Sequence, residues 1–447
     1  MASLDVIFGF VLVLGVLILV HEWGHFIVAR LFGVRVDVFS IGFGPRLFGF
    51  KWGATDWRVS AVPLGGYVRM AGQDITEIDS GDTKPTGAPD ELMSKPRWQR
   101  ALISFAGPLV NLIFPLFLLT GYFVLQGEPY PAYEDKPMVF SGASKDSPIA
   151  QAGAVKGDRI ISLNGTPNPT WGALETALSK ASSDASFHIV ADHQGTPVNA
   201  QFNLTSTQDP SQVFGYPPNP AIVKETSPGL PARQAGIKKG DVIDAVNGQH
   251  VDNWSTMTEF IQHNEGNPLQ LTVLRNGQPI NFTITPQKSK NERGEDAWMI
   301  GIGRTQEFSF RKVGVSQAVT SAADFSYRGA TQIVGIVGKL FTGKIAVKQL
   351  QSVIGIASEA GHAVQEGTFA VILLMVSLSL NLGILNLMPI PILDGGNILL
   401  LTMEGIRRRD FSLAFKERFI QVGLVFLLAL FAYVMYNDVV RLLPTHS

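Results

Sequence analysis

Apolar residues gather into four long stretches, Val6 to about Phe32, Ala101–Leu125, Thr368–Met403 and Phe419–Tyr436. At a helical rise of about 1.5 Å per residue each is long enough to cross a bilayer. The third is interrupted by Pro389, Pro391 and the pair Gly395-Gly396, so it need not be one continuous helix. After the first stretch the pattern changes. From Val34 to Met70 apolar and polar residues alternate, V-R-V-D-V-F-S-I-G-F-G-P and then W-R-V-S-A-V-P-L-G-G-Y-V-R-M. That period predicts short β-strands, with turns at Gly42–Pro45 and Pro63–Gly66. Residues Asp79–Pro89 read as a linker.

Between Gly127 and Phe310 the chain is soluble in character and contains the same pattern twice. Q-A-G-A-V-K-G-D-R-I-I-S-L-N-G (Gln151–Gly165) recurs as Q-A-G-I-K-K-G-D-V-I-D-A-V-N-G (Gln234–Gly248), and Trp171 and Trp254 keep the same offset. A strand, a turn at Gln194-Gly195 or Asn276-Gly277, and a second strand follow each copy. Duplicated units of this kind predict two similar α+β modules. The resulting plan is a first membrane half (1–126), two modules (127–220 and 221–310) and a second membrane half (311–447). The fold class is a four-span α-helical polytopic membrane protein, with a β-hairpin region and two inserted α+β domains.

Charge sets the expected orientation. The loop from Arg30 to Arg100 is rich in Lys and Arg, a second basic cluster lies at Arg407–Arg418, and the tail after the last span has only Arg441. The positive-inside rule then puts those loops in the cytoplasm, and both termini and the modules outside. Charged residues make up only 16% of the 447 and the net charge is −1, which gives no reason to expect a nucleic-acid partner. With no cysteine in the chain, disulfides, thiolate metal sites and cysteine nucleophiles are excluded.

Chemistry enters inside the first apolar stretch, at H-E-W-G-H (His21–His25). Ionisable side chains at membrane depth are costly and rarely kept without a task. On a helix His21 and His25 share a face and can chelate zinc, with Glu22 as general base. The stretch is too long, and its leader Met1–Asp5 too poor in Lys and Arg, for a signal peptide. Catalytic zinc usually has three protein ligands, so a third is expected from another span. Between Thr368 and Met403 the only charged residue is Asp394, in L-M-P-I-P-I-L-D-G-G. Asn386, eight positions earlier, is placed to donate to a developing oxyanion. Asn381 and Asn111 read as packing. His188, His193, His250 and His263 belong to the modules, His446 to the tail, and His362 to the interface beside the third span.

These motifs together resemble the bacterial site-2 proteases, across essentially the whole chain. The A-G-x-x-x-G-D-x-I-x-x-x-N-G repeat is itself similar to PDZ domains, which bind extended peptides at a sheet edge. The resemblance implies regulated intramembrane proteolysis in the bacterial inner membrane: a single-span protein such as an anti-sigma factor, already trimmed outside, is cut within its span. Some members also clear signal-peptide remnants. It implies Zn²⁺ as cofactor, held by His21, His25 and Asp394, with Glu22 catalytic and Asn386 binding substrate. The Gly-rich strands resemble the family's membrane-associated hairpin, and substrate is expected to add as a strand at Val36, Val38, Gly42 and Gly44. The outer modules are expected to meet an extended peptide or the substrate's outer domain. Two departures stand out. Leu350–Ile354 replaces a common Gly-Pro before the third span, and Asn397 follows L-D-G-G where His is usual. The competing reading, a non-enzymatic PDZ scaffold, has no use for His21, Glu22 or Asp394. A zinc transporter would need polar residues lining a path, and the spans lack them.

Overall fold

A computed structural model describes residues 2–73, 86–142, 147–181, 184–205, 210–227, 229–290, 296–304, 307–343 and 352–442. Much of the expected linker Asp79–Pro89, the Leu350-Gln351 part of the departure noted above, and His446 lie outside the described residues. The chain divides into two compact units, one built from the chain up to Glu128 and again from Lys312 onward, the other from Pro129–Arg311.

Among the described residues seven α-helices carry the first unit: α1 (Ala2–Leu31), α2 (Arg97–Leu125), α3 (Val315–Phe341), α4 (Val353–Glu366), α5 (Thr368–Asn386), α6 (Asp394–Arg407) and α7 (Leu413–Leu442). Four of them hold segments long and apolar enough to cross a membrane: Leu4–Leu31, Arg97–Leu125, Thr368–Asn386 and Ala414–Tyr436. Their outward side chains include Ile7, Phe8 and Val11 of α1 and Val422, Val425 and Phe426 of α7, an apolar surface suited to lipid rather than water. The third apolar stretch is two helices. α5 ends at Asn386, and α6 begins at Asp394 after the proline-bearing turn. Pro389 and Pro391 supply no backbone N–H, so a continuous helix there would lack two rungs.

The hairpin region consists of β1 (Val36–Trp52) and β2 (Thr55–Met70). Its register gives each strand two functional halves. Val36–Ile41 lies antiparallel to Gly66–Met70, from Val36↔Met70 to Ile41↔Gly66, while Val38–Ile41 also lies alongside Asp56–Val59. The outer half of β1 pairs back on Thr55–Ser60, from Arg46↔Ser60 to Trp52↔Thr55. The chain changes course between these halves at the two Gly-Pro-rich segments. Gly42, with φ +89°, fits there because a Cβ would meet the Ser60 and Val62 carbonyl oxygens at 2.9 Å. Val36, Phe39, Val68 and Met70 pack with Ala29 of α1 and Ile103 of α2, which fixes the sheet against the helix that carries H-E-x-x-H.

In the second unit each copy of the repeat forms its own four-stranded sheet. Strands β3 (Arg159–Leu163), β4 (Thr166–Pro167), β5 (Asp184–His193) and β6 (Thr196–Thr205) are ordered β4-β3-β5-β6. Strands β7 (Val242–Val246), β8 (Gln249–His250), β9 (Leu269–Arg275) and β10 (Gln278–Ile284) are ordered β8-β7-β9-β10. A ten-residue helix opens at Trp171 in one copy and at Trp254 in the other. Separate cores fill the two copies, one around Phe187 and Ile189 and one around Leu271 and Val273. The repeated asparagines serve one purpose twice: Asn164 Oδ1 accepts from His188 N at 2.8 Å, and Asn247 Oδ1 from Gln270 N at 2.9 Å.

Candidate metal centre

Helix α1 presents His21 and His25 on one face because they are one turn apart. Their Nε2 atoms lie 3.3 Å from each other. Asp394, the first residue of α6, closes a triangle, with Oδ2 3.3 Å from His21 Nε2 and Oδ1 3.5 Å from His25 Nε2. Among the described residues this is the one group of three or more such side chains close enough to share an ion. Ligands at about 2.0–2.1 Å in tetrahedral zinc stand roughly 3.3–3.4 Å apart, which the His21–His25 distance matches and the two carboxylate distances, measured to different oxygens, approach. They are long for direct hydrogen bonds. The donor set and the spacing therefore both fit the metal.

The backbone holding Asp394 is unusual. Ile392 has φ +83°, a left-handed conformation that a β-branched residue adopts only when its surroundings impose it. Gly395 and Gly396 follow because nothing larger fits. A Cβ at Gly395 would meet the Leu387 and Met388 carbonyl oxygens at 2.3 Å, and one at Gly396 the Ile390 carbonyl oxygen at 2.2 Å. The D-G-G motif thus lets α6 start hard against the turn before it, which aims its first side chain at α1.

Glu22 and His25 are buried. Gly66 makes room for Glu22, since a Cβ there would fall 2.9 Å from Glu22 Cγ and 2.6 Å from an Ile18 methyl. Asn386, the last residue of α5, places Nδ2 3.4 Å from His21 Nε2. The structure thus brings His21, His25, Asp394 and Asn386 together, with Glu22 next along α1.

Helix α2 contributes what reading the sequence missed. His25 Nδ1 donates to the Ile103 carbonyl oxygen at 2.8 Å. One turn on, Gly107 leaves space for both imidazoles, because a Cβ would meet His25 Nε2 at 2.3 Å and His21 Cε1 at 2.9 Å. Another turn on, the fully buried Asn111 sets its amide 3.2 Å from His21 Nδ1. Asn111 is therefore not simple packing. The available signal was a polar residue one turn after a glycine in an apolar span.

The register speaks against the expected strand addition at Val38. The Val36 and Val38 side chains are buried, and Val38 already has Arg69 on one side and Asp56 on the other. Gly42 and Gly44, both with positive φ, lie where the chain leaves its paired run rather than on a straight edge. No further strand is paired along the far side of Gly66–Met70 among the described residues.

A membrane-embedded helix that offers two histidines and a glutamate, with an aspartate brought from a second helical segment, defines the class of intramembrane zinc metalloproteases. Comparison with known proteins agrees. The chain belongs to peptidase family M50, whose profile matches residues 9–430. It is 31% identical to a protease named RseP from Yersinia pestis and to the regulator of sigma-E protease RseP from Escherichia coli K12, in each case over 97% of this chain and 98% of the relative. A protein from Pasteurella multocida described as a putative zinc metalloprotease is 31% identical over the same shares. The protein is thus a zinc-dependent intramembrane protease.

Proposed function

We propose that His21 and His25 hold zinc through Nε2 and Asp394 through its carboxylate, and that Glu22 is the general base. The observation that carries this reading is the approach of the Asp394 carboxylate, Oδ2 at 3.3 Å and Oδ1 at 3.5 Å, to the Nε2 atoms of two histidines that lie 3.3 Å apart on a helix apolar enough to lie in the membrane. Zinc held by these three residues would make a water more acidic and polarise the scissile carbonyl. Glu22 takes the proton from the water and later passes it to the leaving amine. Asn386 donates from Nδ2 to the carbonyl oxygen as negative charge builds on it. The buried surroundings of Glu22 and His25 keep bulk water from competing for these groups.

The substrate is a membrane-spanning segment of a single-span protein, of the anti-sigma-factor kind, trimmed outside beforehand. The relatives named as regulators of sigma-E support this class. A helical segment hides its carbonyls in i→i−4 bonds and must unwind to be cut. Adding as a strand replaces those lost bonds. With Val38 enclosed, the edge for that addition is the far side of Gly66–Met70, whose first residue lies against Glu22. The two repeat modules are PDZ-like and screen substrates by the bulk of their outer domains. The chain lies in the bacterial inner membrane, with modules and termini on the periplasmic side and the hairpin region on the cytoplasmic side.

Purified protein reconstituted with a single-span substrate lacking its outer domain is expected to give products whose new termini fall inside the apolar segment, read by mass spectrometry. Cuts confined to the soluble flanks would overturn the reading. For orientation, a reporter inserted near Gly215 is expected to be active only outside the cytoplasm, and a cysteine at Thr86 to label only after the inner face is opened. The reverse pattern would place the site on the other side.

A further inference from the structure

Imidazoles that ligate through Nε2 carry their proton on Nδ1, and the partner of that N–H fixes ring orientation and tautomer. His25 has such a partner in the Ile103 carbonyl oxygen, an acceptor that can face it only one way. The Nδ1 of His21 faces the Asn111 amide at 3.2 Å, and Asn111 is 0% exposed. Its Oδ1 is buried with no hydrogen-bond partner, while the Nδ2 end faces the ring. Two donors cannot bond each other. A half-turn of the amide exchanges its two ends and sets Oδ1 against the Nδ1–H that ligation through Nε2 requires. The Asn111 carbonyl oxygen also accepts from Ser379 Oγ at 2.7 Å, which ties this point of α2 to α5.

We propose that Asn111 is a positioning residue for the metal centre: its side-chain oxygen accepts from His21 Nδ1 and so commits Nε2 of that ring to zinc. This rests on His21 being a ligand, as argued above. Ile103, Gly107 and Asn111 then form one stripe of α2, at i, i+4 and i+8, serving both histidines of α1. The stripe supplies an acceptor for one ring, space for both, and an acceptor for the other.

The test compares zinc dissociation constants, by competition with a chelator, for full-length wild type, Asn111→Leu, Asn111→Asp and His21→Ala in detergent. Asn111→Leu keeps the volume and removes the acceptor, so zinc binding is expected to weaken about 10–100-fold. Asn111→Asp keeps an acceptor whichever way it turns and is expected to bind zinc at least as tightly as wild type. A packing role predicts the opposite order, because a buried carboxylate is tolerated worse than leucine. Wild-type affinity in Asn111→Leu, or weaker binding by Asn111→Asp than by Asn111→Leu, would overturn the proposal. If Asn111→Leu does not fold, nitrogen NMR of labelled histidine in the unaltered zinc-bound protein decides the matter. A protonated Nδ1 on His21, shifted by Asn111→Asp, supports the proposal, and an unprotonated one overturns it. Undiminished zinc binding by His21→Ala would instead remove the underlying ligand assignment, whatever Asn111 does.

Discussion

Two aspartates, one in each unit, show how differently the same side chain is used. Asp241, in the second copy of the repeat, is 1% exposed and fully provided for by its own chain. Arg275 grips it with Nε to Oδ1 and Nη2 to Oδ2, each at 2.8 Å, and Lys238 N donates at 2.8 Å. Asp394, in the helical unit, faces two imidazole nitrogens at 3.3 and 3.5 Å instead. The first set of distances is that of hydrogen bonds, and the second is long for hydrogen bonds and near the spacing of ligands around one ion. A carboxylate satisfied by a guanidinium holds a module together. One aimed with two imidazole nitrogens at a common point is placed to hold a metal.

The sharpest way to break this contrast is to remove the base from the helical unit. Glu22→Gln is expected to lower kcat by about 10²–10⁴-fold, the usual contribution of a general base, with zinc content unchanged. Cleavage at the wild-type rate in a purified assay would refute the mechanism. Next comes the ligand itself. Asp394→Asn is expected to weaken zinc binding by more than about 100-fold, beyond the loss that follows removal of an outer partner. The repeat modules should keep their protection from hydrogen exchange in that variant.

The mirror experiment is Asp241→Asn, which should leave zinc binding intact and lower the stability of the second module by about 2 kcal/mol, since a buried charged contact is lost but Arg275 retains some solvent. Hydrogen exchange along β7 and β9 reads it, and a loss of zinc would show that the two aspartates are not separate in role. Acid sharpens the same point. The Arg275 guanidinium holds the Asp241 carboxyl below its ordinary range. Stability from this pair is therefore fully present above the unfolded-state value of about 3.9 and is lost as pH falls through the lowered folded-state value. Asp241→Asn should flatten that acid limb, measured as exchange rates in β7 against pH.

A smaller effect is expected from Gly240→Trp. Gly240 has φ +87°, so a bulky side chain strains the turn before Asp241. Trimmed substrate should still be cut, whereas untrimmed substrate should become cleavable as discrimination relaxes. Unchanged discrimination would put the size barrier elsewhere, and loss of all cleavage would mean that the modules recruit substrate.

Much of this protein follows from local pattern. Apolar runs long enough for a bilayer marked the four candidate spans, because lipid demands continuous apolar helix. The recurrence of G-D and N-G at fixed offsets announced two alike sheets, because those residues take the left-handed turns that such strands need. His21 and His25 could be paired from spacing alone, and Asp394 stood out as a lone charge in an apolar stretch. Other features arise only from the approach of segments distant in the chain. The break of the third stretch at Asn386, and the strained Ile392 that turns α6 toward α1, depend on backbone packing at Gly395 and Gly396. That β1 is enclosed on both sides at Val38 depends on register, which alternation does not specify beyond which face is buried. The partnership of Ile103, Gly107 and Asn111 with the two histidines is set by the crossing of α1 and α2. There a carbonyl, a missing Cβ and an amide become functional through where two helices touch, and nothing in their own neighbourhood along the chain specifies that point.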